Sequence, residues 1–150
     1  MSIRPMAPSD ISDVLEMMRV FYASEAVSTD GSEEIFRADV EQCLSPSPYL
    51  EGFILECDGT LAGYAMLAKS FSTEFGRPCV WVEDLYLKPE HRDAGLGSEF
   101  LRFVRERYPK AVCRLEVEPE NVRAVHTYEK NGYGTLPYTE MIQFGEEDKS

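Results

Sequence analysis

The stretch Val80–Leu101 reads VWVEDLYLKPEHRDAGLGSEFL. Its first eight residues, Val80 to Leu87, carry Val, Trp, Leu and Tyr, which suit a strand. Lys88-Pro89 ends that strand and a polar turn follows. Arg92-Asp93-Ala94-Gly95-Leu96-Gly97 then opens a helix whose apolar stripe is Leu96, Phe100, Phe103 and Val104. A strand, a glycine-bearing turn and a helix start together describe an anion site. Glycine lets the backbone approach a ligand and take positive φ. The first helical turn leaves N–H groups unpaired, and the helix dipole favours negative charge there. Gly95, Leu96, Gly97 and Ser98 would present donors, and Arg92 would add a fixed positive charge. The competing reading is a plain strand–turn–helix connection whose glycines serve only the reversal. Two nucleotide-binding patterns are excluded. A GxxxxGK[ST] loop is absent, because Ser98 follows Gly97 with no lysine. A GxGxxG fingerprint fails at its third glycine, where Phe100 stands.

Outward from this stretch, the chain alternates helix and strand signals. Ile3 to Met6 reads as a short strand. Ser9 and Asp10 are N-cap residues for an amphipathic helix over 10–24, marked by Ile11, Val14, Leu15, Met18, Phe21 and Tyr22. Ser32 caps a second helix, with Glu33 and Glu34 in its first turn and Ile35, Phe36, Val40, Cys43 and Leu44 as its stripe. Phe53–Glu56 and Leu61–Ala68 flank Asp58-Gly59 and predict a hairpin. Phe71–Pro78 reads as a loop, Cys79–Leu87 as a long strand, and Val112–Val117 as another. Asn121–Lys130 is a helix stopped by Asn131-Gly132. Tyr133–Gln143 predicts one or two final strands broken at Pro137, and the last six residues are expected to fray. The mixture predicts one α/β (α+β) domain over residues 1–150 with a mixed sheet.

Composition limits the function. With 150 residues, one domain of ordinary size fits and a second does not. Fifteen Lys plus Arg against 27 Asp plus Glu give a net charge of −12. That charge repels a phosphate backbone and an anionic membrane, so neither nucleic acid nor membrane is expected as a partner. It suits a cationic substrate such as an amine. No apolar run reaches the roughly 20 residues of a membrane span, and Met1–Pro5 does not begin a signal core. A cytoplasmic chain is the expectation. Cys43, Cys57, Cys79 and Cys113 form no CxxC pair, and His91 and His126 have no metal-ligand spacing, so no metal is expected.

Arg92-x-x-Gly95-x-Gly97 after a strand resembles the coenzyme A binding motif of the GCN5-related N-acetyltransferases (GNAT). Asn121-Val122-Arg123-Ala124-Val125-His126-Thr127-Tyr128-Glu129-Lys130-Asn131-Gly132-Tyr133 resembles that family's second motif, N-x-x-A-x-x-x-Y-x-K-x-G-[FY]. With the opening strand and the two early helices, the resemblance spans essentially the whole chain. Glu83-Asp84-Leu85-Tyr86-Leu87 and Gly95–Glu99 further resemble the diamine (polyamine) acetyltransferases. Asp93 departs from the family, which often has glycine there. Its carboxylate must turn away from the pyrophosphate for the loop to serve.

The resemblance implies a mostly antiparallel central sheet with one splayed parallel strand pair, Trp81–Leu87 and Val112–Val117, and helices on both faces. It implies acetyl-coenzyme A as co-substrate, held by Leu85, Tyr86, Leu87, Arg92, Asp93, Ala94, Gly95, Leu96, Gly97, Ser98, Asn121, Ala124 and Tyr128. The pantetheine arm would pair with the backbone of Leu85 and Leu87 like an added strand. The Leu85 N–H would also face the thioester oxygen and steady its developing charge. Asn121, Ala124 and Tyr128 share one helix face at i, i+3 and i+7. Tyr128 is then the general acid toward the departing sulfur. An alkyl amine at pH 7 costs about 4.6 kcal/mol to deprotonate, so a base is needed. Glu83 is the candidate, directly or through water. Asp84 points to the opposite face of a regular strand, and a bulge would change this, so the choice between them stays open. Trp81, Tyr86 and the segments 22–32 and 71–76 would border the acceptor. The acceptor is expected to be a small cationic amine. Alternatives are a protein N-terminus or lysine, or a regulator that binds coenzyme A without turnover. A homodimer through the C-terminal strands or a sheet edge is a further expectation.

Overall fold

Consecutive strand-forming runs pair in the order in which they occur along the chain. The computed structural model describes residues 1–146. Its strands β1 (Ser2–Pro5), β2 (Leu50–Cys57), β3 (Thr60–Ser72), β4 (Arg77–Leu87) and β5 (Val112–Leu115) form one sheet in the order β1-β2-β3-β4-β5. Neighbours are antiparallel except β4 and β5, which are parallel. A parallel pair needs a crossover, and α3 (Leu96–Arg107) lies within it. Helices α1 (Ile11–Tyr22) and α2 (Glu33–Leu44) precede β2, and α4 (Val122–Lys130) follows β5. The fold is mixed α/β, mostly antiparallel, with one parallel pair.

Alternation along the strands divides the core in two. Ile54, Tyr64, Met66 and Tyr86 meet Val14, Leu15, Met17 and Met18 of α1 and Phe36 and Val40 of α2. Phe53, Leu55, Ala65, Leu67, Val80 and Val82 meet Phe100, Leu101 and Val104 of α3. Each large apolar side chain so buried contributes roughly 1.5–3 kcal/mol. β4 is therefore held from both sides.

Local signals act as read at two turns. Ser32 accepts the Ile35 N–H at 3.2 Å and caps α2. Asp58 and Gly59 take φ of 52° and 76° and close the β2–β3 hairpin. Asp10 behaves differently from its expected N-cap role. Its carboxylate accepts the Ala7 N–H at 2.8 Å and both ends of the Arg4 guanidinium, while Arg4 also reaches Glu56 at 2.6 Å. It pins β1 to the turn ahead of α1.

Several spans differ from the sequence reading, β2 among them, which starts three residues earlier, at Leu50. α1 stops at Tyr22, short of residue 24. The stretch Phe71–Pro78 is strand rather than loop, apart from a tight turn. Phe71 pairs with Pro78 and Ser72 with Arg77, and Gly76 at φ 63° closes the turn with its N–H on Ser72 O. β5 begins opposite Cys79, so Pro78 needs no donor on that side. β5 ends at Leu115 instead of Val117, because the parallel ladder stops at Val82↔Leu115. Tyr133–Gln143 forms no strand among the described residues. Pro137 interrupts it, and the Tyr138 hydroxyl donates to Glu74 at the β3–β4 turn, away from a ladder on β5. Leu136, Tyr138, Met141, Ile142 and Phe144 stay exposed. Of the six terminal residues expected to fray, 147–150 lie outside the described residues. Among the described residues no helix is long and apolar enough to cross a membrane.

Candidate active site

The site is built where β4 leaves β5. β4 pairs with β5 from Cys79 to Val82 and no further. At that point its register on β3 slips: Leu67 faces Val82 and Met66 faces Asp84, so Glu83 has no partner. An unpaired residue bends a strand and redirects the side chains after it. Val82 lies in the α3-side core, whereas Asp84, two residues on, hydrogen-bonds on the α1 side. Beyond the bulge, Lys88 N donates to Ala62 O at 2.8 Å. Antiparallel alternation then commits Tyr86 to β3 and turns the N–H and C=O of Leu85 and Leu87 into the gap. The Tyr86 ring is buried against Phe21 and Tyr64.

The loop at the end of β4 has the features of an anion cradle. Gly95 is the N-cap of α3 with φ 81°, and nothing lies within 4 Å of where a Cβ would stand. The first intrahelical bond runs from Glu99 N to Gly95 O at 3.0 Å. The amides of Leu96, Gly97 and Ser98 therefore have no intrahelical acceptor. Arg92 donates from Nε to Leu87 O at 2.9 Å and lays its guanidinium over the Tyr86 ring at 5.7 Å. Its charge is thus fixed at the root of the loop. Ala94 is exposed beside it. Asp93 has φ 65°, and its carboxylate turns to an ion pair with Arg123 in the first turn of α4. These free amides, fixed arginine and open backbone fit a diphosphate.

α4 stands beside this loop. Gly97 brings α3 close enough that an added Cβ would touch Thr127 at 3.9 Å. Asn131 Nδ2 donates to Ser98 Oγ at 2.9 Å and to Thr127 O at 2.8 Å, which ties the ends of the two helices together. Asn121 accepts the Ala124 N–H at 3.3 Å and so caps α4. Ala124 is half-buried on the same face. The Tyr128 ring packs edge-on to Tyr133 at 6.1 Å. Burial pushes its hydroxyl above the usual tyrosine range, so it stays protonated at neutral pH. Tyr128 also lines a cavity of about 960 Å³ with Trp81, Leu115, Glu116, Tyr133 and Glu140. This hollow lies along the outer edge of β5. Neither the 92–98 loop nor Glu83 borders it.

On the opposite face the chemistry is acidic. Asp84 is 4% exposed and accepts from the hydroxyls of Tyr64 at 2.7 Å and Tyr22 at 3.0 Å. Burial raises its carboxyl and the two hydrogen bonds oppose that rise. Glu83 is exposed at the bulge. Burial of its carboxyl and then the charges of Asp84 and Glu140 push it upward. Asp39 of α2 is half-buried, and burial followed by the charges of Asp84 and Glu83 lifts it to about 6. The α1–α2 loop spans toward the far side of the gap, where Ser28 Oγ donates to Glu118 beyond β5. Tyr64, Asp39, Arg123 and Asn131 were not singled out as site residues in the sequence, and Tyr22 only as the first residue of the segment 22–32. Only Asp39 gave a local signal, an acid between Phe36 and Cys43 of an apolar stripe.

Residues 13–133 match the model of the acetyltransferase (GNAT) family. The thialysine N-epsilon-acetyltransferase of Bos taurus is 32% identical, over 92% of this chain and 86% of that protein. Among solved structures, a possible acetyltransferase from Clostridium difficile 630 superposes with TM-score 0.80 at 16% identity, covering 97% of this chain and 98% of its own. Aminoglycoside acetyltransferase AAC(6')-Iy, in complex with the bisubstrate analogue CoA-S-monomethyl-acetylneamine, gives TM-score 0.72 at 19% identity over 98% of this chain and 97% of its own.

Proposed function

The chain belongs to the GNAT family and is an N-acetyltransferase, and from that premise we propose that it carries an acetyl group from acetyl-coenzyme A to the primary amine of a small cationic acceptor. The observation that carries this reading is the change of sign across β4. An amide-lined anion loop lies at its end, and three carboxyls, Glu83, Asp84 and Asp39, act on one another on its α1–α2 side. Acetyl-coenzyme A supplies an activated thioester. The chain supplies the rest. The loop Arg92–Ser98 holds the diphosphate, and the backbone of Leu85 and Leu87 pairs with the amides of the pantetheine arm. The Leu85 N–H is the donor for charge developing on the carbonyl oxygen. Asn121 holds the start of α4 in place, Ala124 leaves room along its face, and Tyr128 gives the departing thiolate its proton.

Between the two candidate bases, the bulge favours Glu83. Asp84 is buried and already holds two tyrosine hydroxyls, so its work is to anchor Tyr22 and Tyr64 behind the acceptor. Glu83 has no partner on β3, is exposed and is raised above the usual carboxyl range, which suits a group that must accept a proton. The acceptor class follows from the same carboxyls and from the thialysine-acetylating relative.

The test is free-thiol release from acetyl-coenzyme A with a panel of diamines, polyamines, thialysine, an aminoglycoside and a peptide. Small amines should exceed the peptide in kcat/KM by about 10²-fold, the reach of a few well-placed charge contacts. A better peptide would move the acceptor to proteins. Cofactor binding with no thiol release from any amine would leave a regulator that binds coenzyme A.

We also propose a homodimer formed through the C-terminal segment. The exposed Leu136, Met141, Ile142 and Phe144 and the open outer edge of β5 support it. Light scattering should give about twice 17.0 kDa, and a monomer at all concentrations would remove it.

A further inference from the structure

Asp93 is a misplaced charge for a loop that holds a diphosphate. It sits two residues ahead of Gly95, beside the free amides of α3, and at 77% exposed its side chain is free to face a ligand. A carboxylate there repels the same anion that the loop attracts. It also occupies a left-handed φ of 65°, which residues other than glycine seldom adopt. The repulsion is met from α4. Arg123, two residues after the N-cap Asn121, takes the Asp93 carboxylate in an ion pair.

We infer that Arg123 is a cofactor-positioning residue whose task is to neutralise Asp93 and draw it off the anion loop. The inference rests on the acetyl-coenzyme A reading above. Its physical content is electrostatic. An exposed ion pair adds little to stability. A full negative charge within several ångströms of a diphosphate still repels it in water-like surroundings. Arg123 removes that repulsion and leaves a near-neutral pair. The same contact fastens the loop to the helix that carries Asn121 and Tyr128. A ligand held by the loop is thereby held in register with the tyrosine. Arg92 cannot take over this role. Its Nε is on Leu87 O and its guanidinium is over Tyr86.

The test is a double-mutant cycle read by the dissociation constant of coenzyme A in calorimetry, with Tm measured on each variant. Arg123→Ala should weaken binding by roughly three- to tenfold at low salt with Tm nearly unchanged. Arg123→Lys should restore most of the loss. The double variant with Asp93→Ala should return close to wild type, because no charge remains to be neutralised. At about 0.5 M salt the loss in Arg123→Ala should largely disappear. An unchanged constant in Arg123→Ala overturns the inference. So does a loss of equal size in the Asp93→Ala background, which would make Arg123 a direct phosphate ligand. Failure of the wild-type protein to bind coenzyme A would retire the cofactor reading itself, and this inference with it. Normal wild-type binding beside an unaffected Arg123→Ala would retire only the inference.

Discussion

The two faces of β4 hold their charges in different ways. On the α1–α2 side, Asp84 rests on two tyrosine hydroxyls, and Asp39 has no hydrogen-bonding or ionic partner among the described residues. At the α3–α4 end, the two charged residues of the loop are each tied to something. Arg92 is held by a backbone carbonyl and an aromatic ring, and Asp93 by Arg123. Tethered charges make a rigid receptor for an anion of fixed shape. Untethered carboxyls make a field that favours any small cation. The comparison shows how a chain of net charge −12 keeps a place for the anionic co-substrate proposed above. The repulsion is placed on one face and the donors on the other, with the bulge at Glu83 as the divide.

The largest effect should come from breaking what the faces share. Gly63 lies opposite Leu87, and a Cβ on it would stand 2.0 Å from Tyr86 O, which is backbone and cannot rotate aside. Gly63→Ala must displace the end of β4. We expect a stability loss of about 1–3 kcal/mol, as for overpacking. A shift near 1 Å should also cost about 10²-fold in kcat/KM. Coenzyme A affinity and amine turnover should fall together. A variant that loses only one of them would show that the faces are positioned independently.

Next come the two proton carriers. Glu83→Gln should lower kcat/KM by about 10²-fold. It should also flatten the rise in activity with pH, because wild-type Glu83 works only above its raised folded pKa. Tyr128→Phe should lower kcat by about tenfold, since a thiolate leaves fairly well without help. Its burial keeps the wild-type hydroxyl protonated, so any loss from ionisation belongs on the alkaline side. Neither variant should change the coenzyme A dissociation constant by more than about twofold. Exchange of the two pH limbs between the variants would reverse the assignment of acid and base.

How legible the site was in the sequence follows from how local its physics is. The helix start at Gly95 and Gly97 was legible because it is decided within a few residues, whereas Asn121 was read only as a cofactor contact and its cap on α4 was not. The Asp58-Gly59 hairpin was legible for the same reason. The role of Glu83 against Asp84 was not. It depends on a slip between Met66 and Leu67, seventeen residues earlier, and on hydroxyls from Tyr22 and Tyr64. The turn away of Asp93 was required by the chemistry, but Arg123 as its partner needed the packing of α4 on α3. Tyr133–Gln143 misled, because β-propensity states only that a residue suits a pleated, half-buried surface. It does not supply the neighbouring strand, and here Pro137 and the Tyr138–Glu74 contact lead the segment elsewhere.

The smallest effect concerns Asp39, and it tests the untethered face most directly. Burial first, and then the charges of Asp84 and Glu83, bring its carboxyl to about 6, against about 3.9 in an unfolded chain. Between about pH 4 and 6 the folded protein therefore keeps a proton that the unfolded chain has released. Stability falls as pH rises through that window, and the penalty is complete above it. The side chain is only partly buried, so screening reduces the penalty to about 1 kcal/mol or less. Asp39→Asn should raise Tm slightly at pH 7.5 and leave it unchanged near pH 4. A bound cation acts in the opposite sense, because it favours the ionised carboxylate. The variant should therefore show a KM for a cationic amine raised by about two- to fivefold, as for a partly screened charge. Near pH 6 the wild-type protein should release part of a proton when the amine binds, visible as a dependence of the binding heat on buffer ionisation. If the variant is neither more stable nor poorer toward the amine, Asp39 does not face the acceptor, and the field that selects it is made by Glu83 and Asp84 alone.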